Sequence, residues 1–360
     1  MNKKQLPYGL QPHEIGFLIL LGVAFYYTGA EFYQQRLPVF VFGAAVLAGV
    51  GVLIFRCREE WHQLPNRWFF AALAAAWVTL FAFLGNATFN YLDSPSLFSW
   101  MFVCYSSPVL DEGHGLLIPF VVLALYWWKR KELLAKPLGL WWPALGMIFG
   151  ALLLHLLGYV SQQQRLSVIG FFLGLYGLTG LAWGRHWLRT SFFPFFLLAF
   201  CIPVGEFAAP LTMPMRLLVS RIVEIVAHLG LSPDLIREGT QLFDAQHTFG
   251  YEVAAACSGI RSLVALLALT TIYGFINFKS PWKRAVMILV AAPLSVLGNV
   301  VRLCFTIMVA EMFGQNAGKS VETNFGFLTF AVAVGCAFLV SRWLEKIPAS
   351  PVLKDQPATP

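Results

Sequence analysis

Tyr251 to Leu263, YEVAAACSGIRSL, joins a polar segment to an apolar run of membrane length. The run from Ala254 to Phe278 is long enough, at about 1.5 Å per residue, to cross a hydrocarbon core of about 30 Å. The residues before it carry Asp, Glu, Gln, His and Gly. Cys257 is therefore expected at a membrane boundary, in the first turn of a helix. There, unpaired backbone N–H groups and the positive end of the helix dipole favour a thiolate. Arg261, four residues on, shares its face and adds a full positive charge near the sulfur. The competing reading is a small core residue, since cysteine is commonly buried for packing alone.

Working outward, the whole chain is 58% hydrophobic and 12% charged, with a mean hydropathy of +0.68, where soluble domains carry about 25% charged residues. This is the composition of an integral membrane protein. The apolar runs come as separated blocks of about 17 to 25 residues, which excludes a β-barrel and its alternating segments of about ten. The expected fold is all-α, a polytopic transmembrane helical bundle of about ten spans. These are placed at Ile15–Ala30, Val39–Phe55, Trp68–Gly85, Gly113–Trp128, Leu138–Leu157, Ser167–Trp183, Phe192–Val204, Ala254–Phe278, Ala285–Phe313 and Phe325–Trp343. The first reads as a retained helix and not a cleaved signal, because Tyr26-Tyr27-Thr28-Gly29-Ala30-Glu31 ends it and more spans follow. Phe192–Val204 is short for a span, so its helix must continue through Glu206 or stop early.

Charge orients the bundle. With a cytoplasmic N-terminus, seventeen basic residues fall on the cytoplasmic side and three, Arg36, Arg165 and Lys319, in the other short loops. That asymmetry follows the positive-inside rule and places Cys257 on the outer face. The net charge of +7 is no nucleic-acid signature, because the basic residues sit at the ends of apolar runs and form no stripe with aromatics. The six cysteines show no CxxC and no Cys/His ligand spacing, which argues against a disulfide framework or a metal site.

The longest outer segment, Gly205 to Val253, divides in two. Met213 to Gly230 is amphipathic and predicts a helix at the membrane surface or over the bundle mouth. Ile236 to Tyr251 is rich in β-forming residues, with Glu238-Gly239 and Phe249-Gly250 as turn material, and predicts a small β-hairpin cap. No internal repeat is visible, and the Pro-rich tail 347–360 reads as disordered. Arg302 lies deep within an apolar run. Eighteen residues from Arg284 carry it about 27 Å across, to the level expected for Cys257. A charged residue in a membrane helix faces the bundle interior or an aqueous cavity and marks function by default. Its alternatives are a structural ion pair or snorkelling to the interface. Asn299 shares its face, and together they suit a carbonyl or carboxylate.

The run AAACSGIRSL, which holds Cys257, Ser258 and Arg261, together with NVVRL, FFLLAFCIPVGEFAAPL, YSSPVLDEGHGLLIPF and WWKRKEL, resembles the exosortase/archaeosortase family over roughly Tyr105 to Phe330. The resemblance divides the chain into N-terminal transmembrane helices at 1–104, a catalytic core at 105–346 and the tail at 347–360. It implies a cysteine protease or transpeptidase of the bacterial inner membrane with its active site facing the periplasm. The implied partners are exported proteins whose C-terminus carries a motif such as Pro-Glu-Pro, a transmembrane helix and a basic tail. Membrane lipids surround the enzyme, and neither nucleic acid nor any cofactor is implied. The family's nucleophile maps onto Cys257, which forms a thioester, and its arginine maps onto Arg302, which stabilises the oxyanion or orients the substrate.

The third family motif departs. Exosortases carry a histidine before a Gly-aromatic pair near the last helix, whereas here SVETNFGFLTF offers Glu322, and no histidine follows His247. His247, in the expected hairpin, His114, in EGHGLLIP, and Glu322 are the candidate substitutes, each with a solvating or structural alternative. A carboxylate beside a thiolate raises the thiol's pKa and does not activate it, which counts against Glu322. Glu252 is a candidate counter-charge for Arg261 or Arg302. Two alternatives remain open: a weakened relative that binds sorting signals, and a transporter, although neither paired broken helices nor half-to-half similarity is visible.

Overall fold

The computed structural model describes residues 45–347 apart from 47, 50, 53–55, 57, 87–94, 108–111, 205–208, 231–233, 244–249, 253–259 and 325. The described chain is mostly helical and divides into two compact units, Met1–Gly205 and Glu206–Pro360. Three stretches, Arg67–Leu84, Gln164–Trp183 and Pro281–Phe313, are long and apolar enough to cross a membrane, and shorter apolar helices accompany them. The molecule is a helical membrane protein. The expected spans at 15–30 and 39–55 lie largely outside the described residues.

In the first unit, α1 (Arg58–Gln63) and α2 (Arg67–Leu84) are followed by α3 (Leu97–Ser106) and a 3-10 turn, Gly113–Leu116. Then come α4 (Ile118–Leu134), α5 (Ala144–Val160), α6 (Gln164–Trp183) and α7 (Arg185–Phe196), which ends in a second 3-10 turn, Leu197–Cys201. The α5–α6 hairpin is close because Gly170 presents no side chain to it: a Cβ there would lie 2.7 Å from Ala151 O. Small residues of this kind let membrane helices approach. Trp77 of α2 donates to Phe171 O at 3.0 Å. Phe81 packs on the rings of Phe171 and His155 at 5.2 and 4.5 Å, and so carries α2 onto that hairpin.

Three details differ from the sequence expectation. The run expected to span from Leu138 begins as an extended strap, with Trp141 N donating to Leu181 O at 3.1 Å, and becomes helical only at Ala144. Pro143 supplies the fixed φ that opens that helix. The short run at Phe192 gains its length on the other side: helix α7 starts at Arg185, passes through Pro194 and finishes by Cys201. Helix α3 was not expected at all. Its start is marked by Ser96, whose Oγ accepts from Ser99 N at 3.4 Å.

The second unit contains α8 (Ala209–His228), strands β1 (Ile236–Glu238), β2 (Gln241–Phe243) and β3 (Gly250–Glu252), then α9 (Ile260–Asn277), α10 (Pro281–Leu289), α11 (Ala291–Phe313), α12 (Gln315–Asn324) and α13 (Gly326–Lys346). Leu266 of α9, Ala291 and Leu294 of α11, and Ala333 and Ala337 of α13 form one buried cluster. The break between α10 and α11 falls just before Pro293, which has no N–H to continue the ladder. At the α10 end, Lys283 Nζ donates to Leu344 O at 2.8 Å and Ile347 O at 2.6 Å, satisfying carbonyls at the C-terminus of α13.

Helix α8, expected from Met213, starts at Ala209 and lays Val219, Val223 and Ala227 against Leu303, Ile307 and Ala310 of α11. The expected hairpin is a three-stranded antiparallel sheet in the order β1-β2-β3. A two-residue turn joins β1 to β2, with Gly239 at φ +64, where a glycine carries no steric penalty. The third strand pairs Leu242 with Tyr251 and Gln241 with Glu252. It occupies the free edge of β2, whose Leu242 is fully buried in the α8–α11 core.

Candidate active site

Arg302 stands on the α11 face that turns inward. Ser295, Asn299, Arg302 and Thr306 follow one another at spacings of four, three and four residues, which at 3.6 residues per turn confines them to an arc of about 60°. Ser295, Asn299 and Thr306 are 0, 3 and 1% exposed. Arg302 is half-buried. Its Nε and Nη2 are buried and have no hydrogen-bond partner among the described residues. The neighbouring sector of the helix, Leu303 and Ile307, is occupied by α8. Among the described residues no carboxylate pairs with this arginine, and two of its three nitrogens are turned away from solvent, as neither an ion pair nor full snorkelling would leave them. A guanidinium carries five donors that chains normally satisfy, and leaving them buried and unspent opposes folding.

The sheet is fastened to α8 beside this stripe. Ser220 Oγ donates to Gly239 O at 3.0 Å, and Arg237 bridges to Glu224 Oε2 at 2.8 Å and donates to Gly239 O at 3.1 Å. His228 Nε2 pairs with Leu235 O at 2.8 Å. Strand β3 ends at Glu252, and helix α9 starts at Ile260. The described residues that flank the cysteine motif are thus an anchored strand on one side and a packed helix on the other. Helix α9 runs toward the turn near Asn277 and Pro281, α11 leads away from it after α10, and Leu266 and Leu294 share one core. Ile260 lies about 9 Å beyond Leu266, and Arg302 about 12 Å beyond Leu294, at the same end of the unit.

Cys257, Ser258 and His247 lie outside the described residues, as do the side chains of Glu252, Arg261 and Glu322. By backbone, Glu252 closes β3, Arg261 is in the first turn of α9, and Glu322 is in the last turn of α12. Helix α12 packs on the far end of α11: a Cβ at Gly318 would meet Ala310 Cβ at 2.7 Å and Thr306 O at 3.5 Å. His114 belongs to the first unit, in the 3-10 turn Gly113–Leu116, half-buried beside the buried Glu112. The ring of Tyr105 lies against Gly115 of that turn, and its hydroxyl donates to Cys201 O.

Among the described cysteines, Cys104 and Cys201 are buried, and Cys304 and Cys336 are partly so; all four are free thiols. Cys104 is unsuited to nucleophilic work. Burial pushes its thiol up to about 12, with the Glu112 carboxylate adding to the rise and Arg165 opposing it. Thr306 was missed by sequence reasoning, because a threonine within an apolar run carries no signal until its surroundings are known.

Compared with known families, the sequence matches the one described as transmembrane exosortase over residues 108–339, well over half the chain. No curated protein and no solved structure matches it.

Proposed function

The chain belongs to the transmembrane exosortase family, and from that premise we propose that it is a cysteine transpeptidase of the bacterial inner membrane that cleaves C-terminal sorting signals on the periplasmic side. The observation supporting this most is Arg302, an inward-facing cation with two buried donor nitrogens unspent, on a helix that packs with the one following the Cys-Ser-Gly-x-Arg block. A site that keeps such donors at a cost to folding is preorganised for an acceptor brought by the substrate.

In the reaction, the Cys257 sulfur attacks the carbonyl carbon of the scissile peptide. The carbonyl oxygen becomes an oxyanion within reach of Arg302. Collapse breaks the C–N bond and leaves an acyl thioester. The departing amine, on the membrane-helix side of the signal, takes the proton the thiol gave up, and His247 or Glu322 relays it. An amine or another nucleophile on the outer side then takes the acyl group and restores the thiol. Arg261 and the helix start favour the thiolate, Asn299 supports the substrate beside Arg302, and Glu252 balances charge. The substrates are exported proteins ending in a motif such as Pro-Glu-Pro, a transmembrane helix and a basic tail.

A second reading, a relative that binds signals without cleaving them, is favoured by one fact: no histidine follows His247. Co-expression with a reporter carrying such a C-terminus distinguishes the two by gel shift. Processing by the wild type that is lost in Cys257→Ala and Arg302→Ala supports the enzyme. A stable uncleaved complex supports the binder, and no interaction at all sinks both.

A further inference from the structure

We infer that Thr306 is a substrate-binding residue, which with Arg302 reads alternate carbonyls of an extended peptide backbone. The inference rests on the transpeptidase reading above and goes beyond it by naming a second donor and the conformation it selects. Hydroxyls in membrane helices ordinarily donate to a carbonyl three or four residues back. This chain follows the habit at Ser295, which donates to Ala292 O at 3.0 Å, and at Thr270, which donates to Leu267 O at 3.2 Å. Thr306 does not. It is 1% exposed, and its Oγ1 has no hydrogen-bond partner among the described residues.

Its position gives the unspent hydroxyl a use. Thr306 is one turn from Arg302, on the same arc of α11, so two adjacent levels of one buried face carry unpartnered donors. They are separated by about 6 Å along the helix axis. Carbonyls on one edge of an extended strand recur at every second residue, about 6.7 Å apart. A peptide laid along α11 in extended form therefore places one carbonyl at Arg302 and the next on that edge at Thr306. Recognition of this kind depends on main-chain shape and is indifferent to side chains. It selects the extended segment of a substrate and rejects the same residues in a helix, whose carbonyls are already bonded.

The test compares wild type with Thr306→Val, Thr306→Ser and Ser341→Ala in the full-length protein, using the sorting-signal reporter and the apparent melting temperature in detergent. Thr306→Val keeps the shape and removes only the hydroxyl. Ser341 serves as control, because its Oγ is equally buried and unpartnered but lies on α13 near the Lys346 end. Thr306→Val is expected to lower processing by roughly tenfold, since a buried substrate carbonyl loses its donor. Its melting temperature should equal or exceed that of wild type, because the free protein loses no bond. Thr306→Ser restores most of the rate, and Ser341→Ala leaves it unchanged. A wild-type rate in Thr306→Val, or a fall in melting temperature matched by the same fall in Thr306→Ser, overturns the inference alone. A wild type that neither processes nor retains the reporter overturns the parent reading and this one with it.

Discussion

Replacing Arg302 with methionine separates a functional arginine from a structural one. The unbranched side chain keeps the aliphatic packing of the stem and deletes the guanidinium. Each buried donor group without an acceptor opposes folding by about 1–3 kcal/mol, and Arg302 holds two such donor nitrogens, Nε and Nη2. Their removal relieves about 2–6 kcal/mol of that penalty, so Arg302→Met should melt at or above the wild-type temperature. The same change deletes the donors that meet the developing oxyanion, a loss of about 100- to 1,000-fold in rate for one such group. Arg302→Lys, which keeps the charge but not the planar fork, should fall between the two. Pulse-chase processing of the reporter and a melt of the purified protein supply the two readouts. Processing at the wild-type rate, or a melting temperature lowered by more than about 5 °C, roughly 2 kcal/mol of lost stability, refutes the reasoning and makes Arg302 a structural residue.

Three other outcomes follow from particular contacts. Cys104→Ala should process the reporter within about twofold of wild type. A thiol raised to about 12 is neutral through pH 8, so maleimide labelling of folded protein at that pH should also spare Cys104. Arg237→Ala removes the bridge to Glu224 and the bond to Gly239 O. Because both side chains are about a quarter exposed, the stability change should stay near 1 kcal/mol, yet hydrogen exchange across β1 to β3 should rise. Leu242→Ala empties a fully buried position between the sheet and helices α8 and α11. It should cost about 2–5 kcal/mol, seen as early melting, with processing reduced as β3 loosens.

The sequence made legible whatever has membrane length or a charge out of place. The runs at α2, α6, α9, α11 and α13 were visible because each is apolar for most of a bilayer's thickness, and Arg302 stood out as a cation among apolar neighbours. Helix α3 was not legible: LFSWMFVCYS is too short to span, and periodicity says little over ten residues. Helix α12 was missed for the opposite reason. Its sequence, QNAGKSVETN, is polar, and it is fixed by the contact of Gly318 with α11, which no local pattern encodes. The third strand escaped because Tyr251 and Glu252 read as the end of a hairpin, when the deciding fact is tertiary: the burial of Leu242 under two elements. Thr306 shows the same limit within the site itself, since a missing partner is a property of folded surroundings.

The most direct measurement is recovery of the covalent intermediate. Purified wild-type protein is mixed with the reporter without an acceptor, quenched in acid and mapped by mass spectrometry. The upstream part of the reporter should be found joined to the peptide containing Cys257 and released by hydroxylamine, as a thioester requires. In Arg302→Met the adduct should form far more slowly, and in Cys257→Ala not at all. Cleavage that persists in Cys257→Ala, or an adduct carried by Cys104, Cys304 or any other residue, contradicts the account.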